Sequence, residues 1–223
     1  GFLSKDVNEL SLSVRDVSDT SYHSRGKQKL KRGGIWYTPQ SGIWQTVWAE
    51  CIPKDCVRSL HITSDFDHAC VNVRADVVGE SKAYALFDGQ QYPLPASIPV
   101  PGFEPWSPEN PKLYDFSVIC GADRVESYFA MRKFSVEADE NGVKRLFLNG
   151  KPYFHNGLLD QGYWSDGMYT APSDEALIFD IQTAKDMGFN MLRKHIKIEP
   201  LRWYYHCDRL GMLVWQDMIN GGG

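Results

Sequence analysis

Apolar residues follow two different periods along this chain, and the change of period falls near residue 140. Before it, apolar and polar positions alternate in short runs, the period-two signature of strands covered on one face by a core. The runs fall at residues 45–49, 57–62, 69–77, 82–87, 113–119 and 125–130. Asp88-Gly89 follows the fourth as a turn pair, and the proline-rich stretch 93–111 is predicted to be a loop, because proline cannot donate to a ladder. About seven short strands with turn signals predict an immunoglobulin-like β-sandwich of roughly 100 residues, placed at residues 43–139. Upstream, Leu10, Leu12 and Val14 alternate with Ser11, Ser13 and Arg15, which predicts one more half-buried strand. The polar, turn-rich segment 16–32 follows, and residues 1–42 are too few to close a sandwich of their own and are expected to be loosely held.

After residue 140 the pattern changes. Leu146-Phe147-Leu148 and Lys151-Pro152-Tyr153-Phe154 flank Asn149-Gly150, a pair that favours a two-residue hairpin turn because both positions tolerate positive φ. Three apolar runs come next, at 153–159, 189–192 and 212–215, with two helical patterns between them. In the first helix Ser173 is the predicted N-cap, Asp174 and Glu175 suit the dipole, and Leu177, Ile181, Ala184 and Met187 face inward before Gly188 stops it. In the second, Pro200 suits the first position, Leu201, Tyr204, Cys207 and Leu210 (or Tyr205) face inward, and Gly211 ends it. Strand–helix–strand–helix–strand with nearly continuous apolar strands predicts a parallel sheet covered by helices, the opening of a β/α barrel or of a doubly wound sheet. No Gly-x-Gly-x-x-Gly follows any of the strands, which weakens the dinucleotide fold. In barrels the site forms where strands end, and those ends carry Asp160, Gln161, Arg193, His195 and Asp217.

The run from Gly188 through Phe189-Asn190-Met191-Leu192-Arg193-Lys194 to His195, and the run Tyr204-Tyr205-His206-Cys207-Asp208-Arg209-Leu210-Gly211-Met212-Leu213-Val214-Trp215-Gln216-Asp217, resemble the early barrel of glycoside hydrolase family 2, the family of β-galactosidases, β-glucuronidases and β-mannosidases. The resemblance extends upstream through Ser41-Gly42-Ile43-Trp44-Gln45-Thr46-Val47-Trp48-Ala49-Glu50 and Trp106-Ser107-Pro108-Glu109-Asn110-Pro111-Lys112-Leu113-Tyr114, in the family's order. It implies a multidomain β plus α/β chain: residues 1–42 as the tail of a jelly-roll sugar-binding domain, 43–139 as the immunoglobulin-like sandwich, and 140–223 as the first part of a TIM (β/α)8 barrel. Three strands cannot close a barrel of about eight strands and 250 residues, so the chain reads as an excerpt of a longer enzyme.

The implied activity is that of a retaining, exo-acting, β-galactosidase-like hydrolase of O-glycosidic bonds. Such enzymes need two carboxylates about 5–5.5 Å apart, and the family's two are glutamates on later strands, the acid/base one after an asparagine. Asn8-Glu9 is the one Asn-Glu here, and it lies in the jelly-roll tail. No catalytic residue is therefore assigned to this chain, and residues 1–223 alone are expected not to hydrolyse glycosides.

Five residues are expected to bind substrate. Arg193 and His195 match the family's Arg-x-His, and alternation puts them on one side of a strand; Arg193 would orient a catalytic carboxylate and His195 would donate to sugar hydroxyls. The plainer reading pairs Arg193 with Glu199 and leaves His195 in solvent. Asp160 stands where the family places a substrate contact, although Gly157-Leu158-Leu159-Asp160-Gln161 departs from the Gly-x-Asn-x-His-Glu of galactosidases and glucuronidases; it is equally read as a loop cap. Asp217 in Trp215-Gln216-Asp217 resembles the mannosidase branch, where this segment lines the sugar pocket, and a loop cap is again the other reading. Trp215 and Trp164 suit stacking on a pyranose face, or simply the core. Trp36, Trp44, Trp48 and Trp106 read as packing between domains, His155 and His206 as satisfied structural histidines, and His23, His61 and His68 as surface.

Composition narrows the partners. The chain has 223 residues, 43% hydrophobic and 13% aromatic, enough for a sizeable core, and its net charge of −4 gives no basic footprint for nucleic acid. No apolar run approaches the roughly 20 residues that span a bilayer. Five cysteines without Cys-x-x-Cys spacing argue against a disulfide framework or a zinc site, and no cofactor or metal is expected. The expected partner is a carbohydrate substrate, with homo-oligomerisation of the full-length enzyme and its location left open. The other readings are a non-catalytic carbohydrate-binding or adhesion module, and an α/β enzyme of another class, which the lack of a nucleotide loop or Gly-x-Ser-x-Gly elbow weakens.

Overall fold

The structure is a computed structural model and describes residues 6–220. The alternating runs build two antiparallel sheets from seven strands: β1 (Cys56–Asp65), β2 (Cys70–Val78), β3 (Ala83–Phe87), β4 (Gln90–Pro93), β5 (Ala96–Pro99), β6 (Tyr114–Cys120) and β7 (Asp123–Phe129). The sheet orders are β1-β2-β5 and β4-β3-β6-β7. Their inner faces meet in one core, with Val71, Val73 and Ile98 from the first sheet and Ala85, Phe116, Val118 and Phe129 from the second. This is a β-sandwich. The period-two logic is visible in β2, where Val71 and Val73 are buried while Asn72 and Arg74 face water. The β3–β4 turn is Asp88-Gly89, both with positive φ (49° and 74°), the geometry that matches the twist of a hairpin.

Three expectations in this half need correction. Residues 45–49 form no strand: Val47 and Trp48 are 63% and 73% exposed. Leu10, Leu12 and Val14 are also in no strand and are 80%, 64% and 55% exposed. The cause is common to both. Alternation marks a segment able to pair, but a strand needs a neighbour for its N–H and C=O groups, and among the described residues neither segment has one. In the opposite direction, the proline-rich loop contains β5. That strand lies at the sheet edge and pairs only with β2, and its one proline, Pro99, is its last residue, so the missing N–H leaves no gap within the ladder.

The chain then forms a small antiparallel sheet, β8 (Phe134–Ala138), β9 (Lys144–Leu148) and β10 (Lys151–Pro152), in the order β10-β9-β8. The predicted hairpin turn is present, with φ of 54° at Asn149 and 75° at Gly150. Asn149 is specifically suited: its Oδ1 accepts from the Lys133 N–H at 2.9 Å, and its Nδ2 donates to the Trp106 carbonyl at 2.9 Å.

Strand and helix alternate from there: β11 (Gly157–Asp160), α1 (Asp174–Asp186), β12 (Met191–Lys194), α2 (Leu201–Leu210) and β13 (Leu213–Gln216). The three strands are parallel, in the order β11-β12-β13. One face of the sheet is covered by both helices, through Leu192 packed with Leu177, Ile181, Ala184, Trp203 and Cys207. On the other face Met191 and Leu213 pack on Trp106 and Ala130.

Ser173 caps α1, its Oγ accepting from the Ala176 N–H at 3.2 Å. Met187 is not inward but 69% exposed, because the helix ends at Asp186 and Met187 is its C-cap, past the stripe that Leu177, Ile181 and Ala184 form. In α2 the buried face is Trp203, His206 and Cys207, while Leu201 is 86% exposed. The helix rolls to bury its largest apolar side chain, Trp203, instead of the predicted Leu201 row. Buried His206 is satisfied by Asp174 Oδ2 at 2.9 Å and by the Arg209 Nε–H at 3.0 Å. Gly211 ends α2 at φ 78°, with a Cβ position only 2.5 Å from the Pro108 carbonyl oxygen.

That close approach belongs to the seam between sandwich and α/β unit. Trp106, fully buried, donates its indole N–H to the Asp208 carbonyl at 2.7 Å, and Arg132 lies 4.5 Å over its ring. Arg132 also pairs with Asp208 Oδ1 at 2.6 Å, and the Tyr128 hydroxyl donates to Oδ2 at 3.0 Å.

Candidate functional site

In a parallel sheet, side chains at matched register point the same way on every strand. Leu159, Arg193 and Trp215 are so matched, and so are Asp160, Lys194 and Gln216, one residue on and facing the opposite side. The backbone ladder continues past the strand ends, with His195 N–H donating to the Asp160 carbonyl at 2.8 Å and Asp217 N–H to the Lys194 carbonyl at 3.0 Å. This fixes His195 and Asp217 side by side.

Their side chains converge with Arg193. Arg193 meets Asp217 twice, Nη2 to Oδ2 at 2.9 Å and Nε to Oδ1 at 3.2 Å, the two-point geometry that a guanidinium favours. His195 Nδ1 lies 2.5 Å from Asp217 Oδ2. The carboxylate can only accept, so Nδ1 carries the shared proton and Nε2 is the free ring nitrogen. The Arg193 hydrogen bond, and then that from His195, hold the Asp217 carboxyl below the usual carboxylate range. Asp217 is therefore an anion at neutral pH.

Trp215 stands on the same face as Arg193 and is 44% exposed. Its indole N–H donates to His155 Nδ1 at 2.8 Å, and the two rings meet edge to face. The ring is thus fixed in plane while part of its surface stays open.

Asp160 is elsewhere. It turns to the helix side, where Oδ2 lies 2.7 Å from Lys194 Nζ and Oδ1 accepts from the Gly162 N–H at 2.9 Å. It does not join Arg193, His195 and Asp217. The cavity beside it, about 410 Å³ and lined by Gln161, Tyr163, Trp164, Asp180 and Lys194, also lies on that side and excludes the three. Trp164 packs against the α1–α2 core there.

Sequence reasoning missed the buried Lys194 and Lys197 and offered Glu199 only as a partner for Arg193; the three are only 1%, 1% and 4% exposed. Glu199 does not pair with Arg193; its Oε1 lies 3.0 Å from Lys194 Nζ and 2.9 Å from Lys197 Nζ. The signal was available: if Arg193 and His195 face one side of a strand, Lys194 must face the other, where helices cover it and a charge needs a partner. Among the described residues no group of three or more His, Cys, Asp or Glu side chains is arranged to hold a metal ion, and no helix is long and apolar enough to cross a membrane.

No protein-family model matches the chain. Among curated proteins it is similar to the β-galactosidase of Streptococcus thermophilus, 25% identical over 234 aligned positions that take in 96% of this chain and 22% of that protein. The β-galactosidase of Photobacterium profundum is 27% identical across 96% of this chain and 23% of its own length. The chain thus spans less than a quarter of the length of these relatives. Among solved structures, a GH2 β-galacturonidase from Eisenbergiella tayi bound to galacturonate matches with a TM-score of 0.65 at 20% identity, over 76% of this chain and 33% of that one. A β-glucuronidase from Ruminococcus gnavus in complex with D-glucuronic acid matches with a TM-score of 0.67 at 16% identity, over 77% of this chain and 32% of that one. These structural likenesses are likenesses of fold.

Proposed function

Starting from a chain that is related to family 2 glycoside hydrolases over most of its length, we propose that it supplies an immunoglobulin-like sandwich and the opening strands of a TIM barrel to a retaining β-glycosidase. The observation that carries this reading is the convergence of Arg193 and His195 on Asp217 beyond the ends of parallel strands. Charges at that end of a barrel strand face the mouth, where substrate enters.

The roles follow from the chemistry of each group. His195 has its ring orientation set by Asp217, and Nε2, without a proton, suits accepting a hydrogen bond from a sugar hydroxyl. Arg193 keeps further N–H donors beyond the pair it gives Asp217, and these orient an incoming carboxylate. Asp217 stays ionised, so it accepts from hydroxyls and does not act as a general acid. The open face of Trp215 offers an apolar surface to the C–H groups of a pyranose. Asp160, tied to Lys194 on the helix side, serves the sheet rather than the sugar.

Hydrolysis with retention needs an acid/base and a nucleophile about 5–5.5 Å apart. The one Asn-Glu here, Asn8-Glu9, lies in an exposed segment without strand or helix. Residues 1–223 alone accordingly bind weakly and turn nothing over, and the carboxylates come from outside them. A β-galactoside is the first substrate to try, as the relatives named above are β-galactosidases. The test is to assay the full-length protein that contains this chain on aryl β-galactosides and β-glucuronides, beside residues 1–223 alone. Cleavage by the first and none by the second supports the reading; turnover by residues 1–223 alone, or none by the full-length protein on any aryl glycoside, contradicts it.

A further inference from the structure

The densest buried charge in the described residues lies behind the site, not in it. Glu199 Oε1 sits between two ammonium groups, Lys194 Nζ at 3.0 Å and Lys197 Nζ at 2.9 Å, and Lys194 also reaches Asp160 Oδ2 at 2.7 Å. Lys194 lies 4.2 Å over the Trp203 ring, and Lys197 lies 4.5 Å over that of Tyr169. Two cations and two carboxylates balance, so neither lysine is buried without a counter-charge. Burial pushes the Lys197 ammonium below its ordinary range, and Glu199 opposes that.

The cluster is connected to each part of the site's frame. Lys197 Nζ donates to the carbonyls of Gly162 at 2.5 Å and Tyr169 at 2.8 Å, the two ends of the loop that follows β11. Glu199 N–H donates to the Tyr204 hydroxyl at 3.2 Å, Tyr204 donates to Gln216 at the end of β13, and Gln216 Nε2 returns to the Lys197 carbonyl at 2.8 Å. Gly162 shows how closely the loop is seated. At φ 62°, a Cβ there would fall 2.3 Å from Glu199 Oε1 and 2.8 Å from Lys197 Nζ. The loop in turn meets the N-terminal segment, with Tyr163 stacked on Tyr37 at 3.8 Å.

We propose that Glu199 is a positioning residue: through Lys197 it holds loop 161–170 behind the sheet, and through Lys194 it anchors the peptide that presents Arg193 and His195 on the opposite face. The proposal rests on the glycosidase reading for its kinetic consequence and on the geometry alone for the loop. A carboxylate is required because Asp160 balances only one of the two lysines; an amide of the same shape leaves Lys197 without a counter-charge.

The test uses the full-length protein. Glu199→Gln is expected to raise KM about tenfold with a smaller change in kcat, as loosening the peptide that presents Arg193 and His195 does, and to speed amide hydrogen exchange in residues 161–170. The double variant Glu199→Gln/Lys197→Met removes charge and counter-charge together. It is expected to recover thermal stability relative to Glu199→Gln, yet to keep the raised KM and fast exchange, because Lys194 still lacks the Glu199 carboxylate and the Gly162 and Tyr169 carbonyls have lost the Lys197 donor. It also keeps the proposal open to refutation should Glu199→Gln not fold. A double variant that regains wild-type KM and exchange, or a folded Glu199→Gln with both unchanged, overturns the proposal. Should the wild-type protein cleave no glycoside, the glycosidase reading fails, and exchange in residues 161–170 still decides whether Glu199 holds the loop.

Discussion

Trp215 donates its indole N–H to Nδ1 of His155 across 2.8 Å. An indole nitrogen only donates, so Nδ1 accepts and the imidazole keeps its proton on Nε2, which is buried without a partner. A second proton has to go on Nδ1 and break the contact. Burial lowers the His155 pKa from the ordinary 6.5. The unfolded chain therefore takes up this proton first as pH falls, so the stability held above pH 6.5 declines as pH drops from there through the lower folded value. The urea midpoint should fall over that window together with a change in Trp215 emission, and His155→Gln should remove that pH dependence. An emission titration centred above 6.5 contradicts the account.

Asp217→Asn keeps the shape of the Arg193–His195 contact but removes its charge. Arg193 is 46% exposed, so the pair adds little to stability. Thermal denaturation should move by no more than about 2–3 °C, while kcat/KM of the full-length enzyme should fall about tenfold or more. A large loss of stability with unchanged kinetics points instead to a purely structural carboxylate.

Two glycines separate strain from collision. Gly188 and Gly211 both have positive φ, 90° and 78°, but a Cβ at Gly188 meets open space while one at Gly211 lies 2.5 Å from the Pro108 carbonyl oxygen. Gly188→Ala should cost about 1 kcal/mol from backbone strain alone, and Gly211→Ala clearly more, about 2–4 kcal/mol. Urea unfolding of the two variants side by side measures the difference; equal losses contradict the tight seam.

Asp208 joins the sandwich to α2 by accepting from Arg132 and Tyr128. Asp208→Ala leaves both half-buried donors without their acceptor and should cost about 1–3 kcal/mol. It should also weaken the coupling of the two parts, so that calorimetry resolves two transitions in place of one. A single unshifted transition contradicts this.

What could be read from the sequence depended on local chemistry. Asn149-Gly150, the Ser173 cap and the Gly211 stop each rest on backbone needs that few residue types meet, and each is present as expected. Alternation located most of the sandwich strands, and the Arg-x-His spacing placed Arg193 and His195 where both reach Asp217. What escaped depends on neighbours. Leu10 to Val14 alternate correctly but have no strand beside them among the described residues. The roll of α2 was decided by the volume of Trp203, and the side taken by Asp160 by a buried lysine one strand away. Polar residues at strand ends look alike in sequence whichever face they take; only the register separates Asp160 and Lys194 from Arg193 and Trp215.

The most direct measurement is the kinetics of His195→Ala in the full-length protein, with an aryl β-galactoside as substrate and circular dichroism as the check on folding. The arrangement of His195 on Asp217 predicts a folded enzyme whose kcat/KM falls about a hundredfold, since a directed acceptor for a sugar hydroxyl is lost. A folded variant that cleaves the substrate at the wild-type rate would contradict the placement of the sugar against this face of the sheet.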